Sequence, residues 1–233
     1  MLKQERAVRT LRSLVHSAAK LFLRHGYAQA KLAEISADAG VSTGALHFHF
    51  ESKAALASAV QVAAAASLRE AVRTASRLPG VNALQSLTDA SHALADTLCR
   101  DVVARAGLQL SCDTTCPTEW DMCQEWQESV RQLLARAAHE NLLAEDAIRH
   151  DAATSIVAAT TGMELLARSD AEWLSHATLT RFWELMLPSL ATPEALAELE
   201  PAGTRPGGRR SLRPAQRPAA ERVALVAEPL LSR

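Results

Sequence analysis

Two histidines alternate with two phenylalanines in VSTGALHFHFESK, residues 41–53. Imidazoles ligate metals, and they also donate hydrogen bonds to phosphate oxygens and base acceptors. Spacing separates these chemistries. On a helix, His47 and His49 stand two apart and point to different faces, which argues against a metal pair. As a strand, Leu46 to Phe50 alternates well, but five extended residues in an otherwise helical chain have nothing to pair with. A helix whose histidines meet an anion is the better reading. Lys53 then falls in the first turn of the next helix, where an ammonium and free backbone N–H groups can hold one phosphate.

A second concentration of reactive groups lies in RAGLQLSCDTTCPTEWDMCQEWQESVRQLLARAAHENLL, residues 105–143. It holds Trp120, Trp126, Met122 and three of the four cysteines, Cys112, Cys116 and Cys123. Structural zinc needs two paired Cys or Cys/His units, and no second pair is present. With Cys99, these read as reduced thiols of a chain without a secretion signal. No His-Glu-x-x-His, Gly-x-Ser-x-Gly or nucleotide-binding glycine loop occurs, so neither an enzyme nor a cofactor is expected.

Alanine and leucine dominate, aromatics make up 4%, and β-branched runs are nearly absent, so an all-α fold is expected. Leu14, Val15, Ala18, Ala19 and Phe22 form a stripe at helical period. The pattern predicts short helices from Lys31 to Gly40 and from Ser42 to His49, then a long one over 53–77. Further helices are expected near 82–99, 102–111, 118–142, 147–168 and 172–190. From Pro201 the chain turns to proline, glycine and arginine and reads as a mobile tail.

Charge is segregated along the chain. Residues 1–60 carry eight Lys/Arg against four Asp/Glu, 61–200 carry ten against twenty, and 201–233 carry seven against two. A basic head on an acidic body points to a polyanionic partner for the head. No apolar run approaches the length of a membrane span, so a cytoplasmic, nucleoid-associated protein is expected.

The two short helices joined by Ala39-Gly40-Val41 match a helix-turn-helix, whose second helix enters the major groove by its N-terminal residues. Ser42, Thr43, Gly44 and Ala45 are then expected at base edges. His47, Phe48 and His49 continue that DNA-facing set, while Leu46 and Phe50 point inward.

LVHSAAKLFLRHGY followed by LAEISADAGVSTGALHFHFESKAALASAV resembles the DNA-binding domain of the TetR family of repressors, over about residues 8–60. The pattern GALxFHFxSKxxLA is particularly similar to the γ-butyrolactone receptors of actinomycetes. The resemblance implies a TetR-like all-α fold: a three-helix DNA-binding domain over 1–52, a helical ligand-binding and dimerisation domain over 53–200, and a tail over 201–233. It also implies a homodimer on a palindromic double-stranded operator, with phosphate contacts at His47 and Lys53.

Three positions depart from the family's pattern, which usually has tyrosine at His47, often lysine at Thr43, and a hydroxyl helix cap at Ala30-Lys31. The missing cap costs about 1 kcal/mol of local helix stability, which Lys31 would offset at a phosphate.

Trp126, followed by Leu133-Leu134, stands where the family's ligand-contacting tryptophan stands. An indole offers a broad apolar face and one N–H donor to a lactone or fused ring. Trp120 is placed at the mouth of the same cavity, with Leu87, Leu110, Ile156, Thr160 and Met163 as further lining. The last two long helices would form the dimer interface. Two rivals stay open: a pseudo-receptor responding to an antibiotic-like effector, and a helical small-molecule-binding protein without operator binding.

Overall fold

The computed structural model describes residues 2–76, 80–117, 121–144 and 149–204. These form α1 (Leu2–Gln29), α2 (Leu32–Asp38), α3 (Thr43–His49), α4 (Lys53–Ser76), α5 (Ala83–Arg100), α6 (Val102–Ser111), α7 (Met122–His139), α8 (Arg149–Ala167), α9 (His176–Leu190) and α10 (Pro193–Leu196), with a 3-10 turn at Ala171–Leu174. Among the described residues there is no strand, only an isolated bridge between Leu143 and Ala191. None of the described helices is long and apolar enough to cross a membrane. The all-α expectation holds.

The chain divides into two compact units. The first takes residues up to Ser67 together with Asp101–Met122, and the second takes Leu68–Arg100 and residues from Cys123 onward, so α4 contributes to both. In the first unit the stripe read from α1 is its buried face: Leu14, Val15, Ala18, Ala19 and Phe22 are all at most 1% exposed. They join Ile35 of α2, Leu46 of α3, Leu56 and Val60 of α4, and Ala106 and Leu110 of α6 in one core.

The small residues of α4 serve close packing. A Cβ on Gly107 of α6 would stand 2.2 Å from the Ala64 Cβ, a distance no pair of carbons tolerates, so the α4–α6 contact requires glycine there. Gly40, at φ 68°, makes the turn between α2 and α3, a left-handed conformation that disfavours a side chain.

Caps define the element starts. Ser42 accepts a hydrogen bond from the Ala45 N–H, Asp101 from those of Val103 and Ala104, and Thr192 from that of Ala195. Lys31, at the start of α2, makes no side-chain cap. The helix expected over 172–190 is interrupted, because Ser175 accepts from Thr178 N–H and starts α9 afresh after the 3-10 turn. The helix expected from 118 begins at Met122, residues 118–120 lying outside those described.

In the second unit, α7 buries Trp126, Val130, Leu133, Leu134 and Ala137, and α9 buries Leu179, Trp183, Leu187 and Leu190, both at helical spacing. Helix α5 is buried on nearly every side, polar residues included. Thr88 and Ser91 satisfy their hydroxyls by donating to the carbonyls of Leu84 and Leu87, as hydroxyls inside a helix can.

Residues 201–204 depart from the expected mobile tail, because side chains of α5 and α9 tie them down. The Gln85 amide donates to the Glu200 carbonyl and accepts from the Glu200 N–H. Asp89 accepts from the Thr204 N–H at 2.8 Å and from its hydroxyl. His92 and His176, stacked with centroids 4.5 Å apart, direct their Nε2 atoms to the carbonyls of Pro201 and Ala202. The rest of the tail reading, 205–233, lies outside the described residues.

Candidate nucleic-acid interface and interior tryptophans

Helix α3 is seven residues long, too short to be stable alone, and is held by its inward side chains. Leu46 and Phe50 are 0% and 3% exposed. Ser42, Thr43, Gly44, His47 and Phe48 are exposed, and Ala45 and His49 are half-buried. The Thr43 hydroxyl lies 3.4 Å from that of Ser36 on α2. Phe48 is 81% exposed, and its ring meets the His49 ring edge-on with centroids 5.3 Å apart. Burial pushes the His49 imidazole below the ordinary histidine value, favouring a neutral ring.

Lys31 is exposed and lies 3.7 Å from Glu34, a solvent-screened pair that contributes little. Lys53, the residue expected at a phosphate, is engaged within its own unit. Its ammonium donates to the carbonyls of Tyr27, Ala28 and Ala30 at 2.8, 2.9 and 3.2 Å, and it lies 4.6 Å from the centroid of the Tyr27 ring. Three donors meet three acceptors, leaving the start of α4 only its backbone N–H groups to offer an anion.

The same junction is held from its other side. Asp113, just past α6, accepts from the Tyr27 N–H at 3.3 Å and from the Thr115 N–H and hydroxyl. These hydrogen bonds, the Thr115 hydroxyl first, hold the Asp113 carboxyl below the usual carboxylate range against the opposing effect of burial.

In the second unit Trp126 is 3% exposed. Its indole N–H donates to the Thr160 hydroxyl at 2.9 Å, which itself donates to the Ile156 carbonyl at 2.8 Å. The structure thus brings together Trp126, Ile156 and Thr160, and the indole donor is already engaged. Leu87 is fully buried, and Met163 is half-buried. Leu110, 2% exposed, belongs to the first unit, and Trp120 lies outside the described residues.

The sequence reading missed Trp183. It is fully buried, and neither its indole nitrogen nor the Ser86 hydroxyl on α5 has a hydrogen-bond partner among the described residues. The signal was available, since Trp183 repeats four residues after Leu179. Among the described residues no group of three or more His, Cys, Asp or Glu could hold a metal.

The outer surface of the second unit carries apolar side chains. Leu165 and Leu166 of α8, Trp173 of the 3-10 turn and Leu185 of α9 are 58%, 46%, 41% and 82% exposed. Exposed residues this large on neighbouring elements are what a protein interface uses.

Comparison with known proteins agrees with this architecture. The family model for bacterial regulatory proteins of the tetR family matches residues 14–60, which cover α2, α3 and the start of α4. The chain is 32% identical over 207 residues to the A-factor receptor protein of Streptomyces griseus, covering 87% of this chain and 71% of that protein. A γ-butyrolactone receptor described as ArpA-like superposes with a TM-score of 0.69 at 26% identity, over 82% of this chain and 92% of that one. CprB of Streptomyces coelicolor, whose structure was determined in complex with its biological operator sequence, gives 0.69 at 27% identity, over 82% and 93%. The chain belongs to the TetR family of bacterial regulatory proteins and is related within it to the γ-butyrolactone receptors.

Proposed function

We propose that the chain is a ligand-responsive repressor that binds a palindromic operator as a two-fold dimer and is released by a small molecule of the γ-butyrolactone type. One observation carries the reading. A capped α3, anchored by buried Leu46 and Phe50, exposes Thr43, Gly44, His47 and Phe48 in a chain 32% identical to an A-factor receptor. In this reading Ser42, Thr43, Gly44, Ala45 and Phe48 face base edges. His47, His49 and Lys31 lie toward phosphates, together with the backbone N–H groups at the start of α4.

Dimerisation follows from the same requirement. A palindrome presents two half-sites about 34 Å apart, and a two-fold dimer matches them. The exposed apolar residues of α8 and α9 are the surface we assign to it. A buried tryptophan beside Ile156 and Thr160 suits an apolar effector carrying few polar groups. For a hundredfold loss of operator affinity, the effector must favour the released state by about 2.7 kcal/mol.

The test is a mobility-shift titration of the purified protein against the DNA upstream of its own gene, with and without a synthetic γ-butyrolactone. A complex that weakens steeply with salt and dissociates on adding the lactone is expected. A salt-sensitive complex that ignores the lactone but yields to an antibiotic or biosynthetic intermediate would keep the repressor and change its effector. Absence of any salt-sensitive complex would sink the reading.

A further inference from the structure

We infer that Phe48 reads the C5 methyl group of thymine in the operator, and that this apolar contact, more than a hydrogen bond from either flanking histidine, sets the base preference at its position. The inference rests on the reading of α3 as the recognition helix.

The geometry of α3 decides which side chain reaches furthest out. Leu46 points into the core at 0% exposure. A helix turns about 100° per residue, so the positions two before and two after Leu46, Gly44 and Phe48, lie about 160° away from it, on the outermost ridge. His47 lies about 100° to one side, and Ala45 about 100° to the other. The histidines therefore flank the ridge, and Phe48 is its only bulky member.

Gly44 sharpens the point. Helical side chains lean toward the N-terminus and cover the turn before them, so the ring of Phe48 leans toward position 44. A Cβ there would meet only the Ser42 hydroxyl, at 3.9 Å, so the ridge at Gly44 is open to the approach of a base edge. The ring is also steadied by the edge of the half-buried His49 ring, 5.3 Å away. That contact makes His49 a positioning residue for Phe48.

The chemistry then selects the partner. A phenylalanine 81% exposed on a basic head gains nothing from a phosphate, which is charged and hydrated. Among the groups displayed in the major groove, only thymine presents an apolar one, its C5 methyl, and aromatic contact to that methyl is an established mode of reading. Two copies of the chain place one such contact in each half-site.

The experiment first enriches binding duplexes from a random-sequence library with the wild-type protein. It then replaces thymidine by deoxyuridine, which lacks only the methyl, one symmetric pair at a time in the consensus duplex. At one pair the wild-type affinity should fall about fourfold per half-site, about fifteenfold for both. Phe48→Ala should bind the thymidine duplex more weakly and show no further loss on deoxyuridine at that pair. The substitution is at an exposed position, so folding is not at stake.

Failure to enrich any duplex would overturn the operator reading itself. An enriched duplex whose deoxyuridine losses are the same for wild type and Phe48→Ala, or absent at every position, would overturn the assignment of Phe48 alone.

Discussion

Lys53 and His47 stand six residues apart at and beside the end of α3, yet their side chains have different surroundings. The Lys53 ammonium is saturated by the carbonyls of Tyr27, Ala28 and Ala30, next to the break at Gly26, where φ is 73° inside α1. His47 is exposed and available to an anion. We therefore expect Lys53→Met to destabilise the protein by about 1–2 kcal/mol, the low end for hydrogen bonds to a charged group because the site is partly exposed, as read from urea unfolding. The slope of log affinity against log salt should stay unchanged. His47→Ala should do the reverse, leaving stability alone and weakening the operator complex through the loss of one exposed hydrogen-bond donor beside the recognition helix. A reduced slope in Lys53→Met would return its ammonium to the phosphate. The inward Leu46 and Phe50 were legible from spacing, because a helical period fixes which residues share a face. The partners of Lys53 were not, because they lie 23 to 26 residues earlier and are backbone carbonyls, which carry no sequence signal.

The segment Glu200–Thr204 works as an element although it has no regular structure. Its backbone hydrogen bonds go to Gln85, Asp89, His92 and His176, and the two imidazoles stack on one another. Burial pushes the His92 imidazole below its ordinary 6.5 and the neighbouring His176 adds to this, while the Pro201 carbonyl, Asp89 and Asp96 pull upward. The folded strap thus binds a proton less readily than the released chain does. Its contribution is complete above about 6.5, the ordinary value, and is lost as pH falls through the lowered folded value. The expected outcome is a protection factor against hydrogen exchange at the Thr204 amide that is high at pH 7.5 and collapses toward pH 5. His92→Gln keeps a donor near the Pro201 carbonyl but cannot take a proton, so it should flatten the profile. Protection that falls equally in both proteins would locate the titration elsewhere. Composition placed residues 201–204 in a tail because proline and glycine look the same in a tail as in a strap. The difference lies in the acceptors waiting on α5, and nothing in the local sequence records them. The caps at Ser42 and the core stripe of α1 were legible because both partners lie within a few residues of one another.

At the scale of the whole molecule, the proposed two-fold dimer on a palindrome needs both the head and the exposed apolar surface of α8 and α9. The residues of that surface were only half visible beforehand. Apolar content predicted two C-terminal helices without dividing them into inward and outward faces, and the structure sends Trp183 and Leu187 inward while Leu185 and Leu165 face out. Leu185 is 82% exposed, so replacing it should cost a folded subunit little, since surface changes commonly stay within about 0.5 kcal/mol. A glutamate there would instead bury an unpaired charge in any interface formed by this face. We expect Leu185→Glu to sediment as a monomer at concentrations where the wild type is a dimer, with an unchanged thermal unfolding baseline and helical content. Operator affinity should fall by about 10² to 10⁴, the factor that joining two half-site contacts in one particle supplies. A single half-site should be bound as well by the variant as by one head of the wild type, because α3 is untouched. A dimeric Leu185→Glu would place the two-fold contact on another face, and a monomer that kept full operator affinity would remove the need for a dimer in recognition.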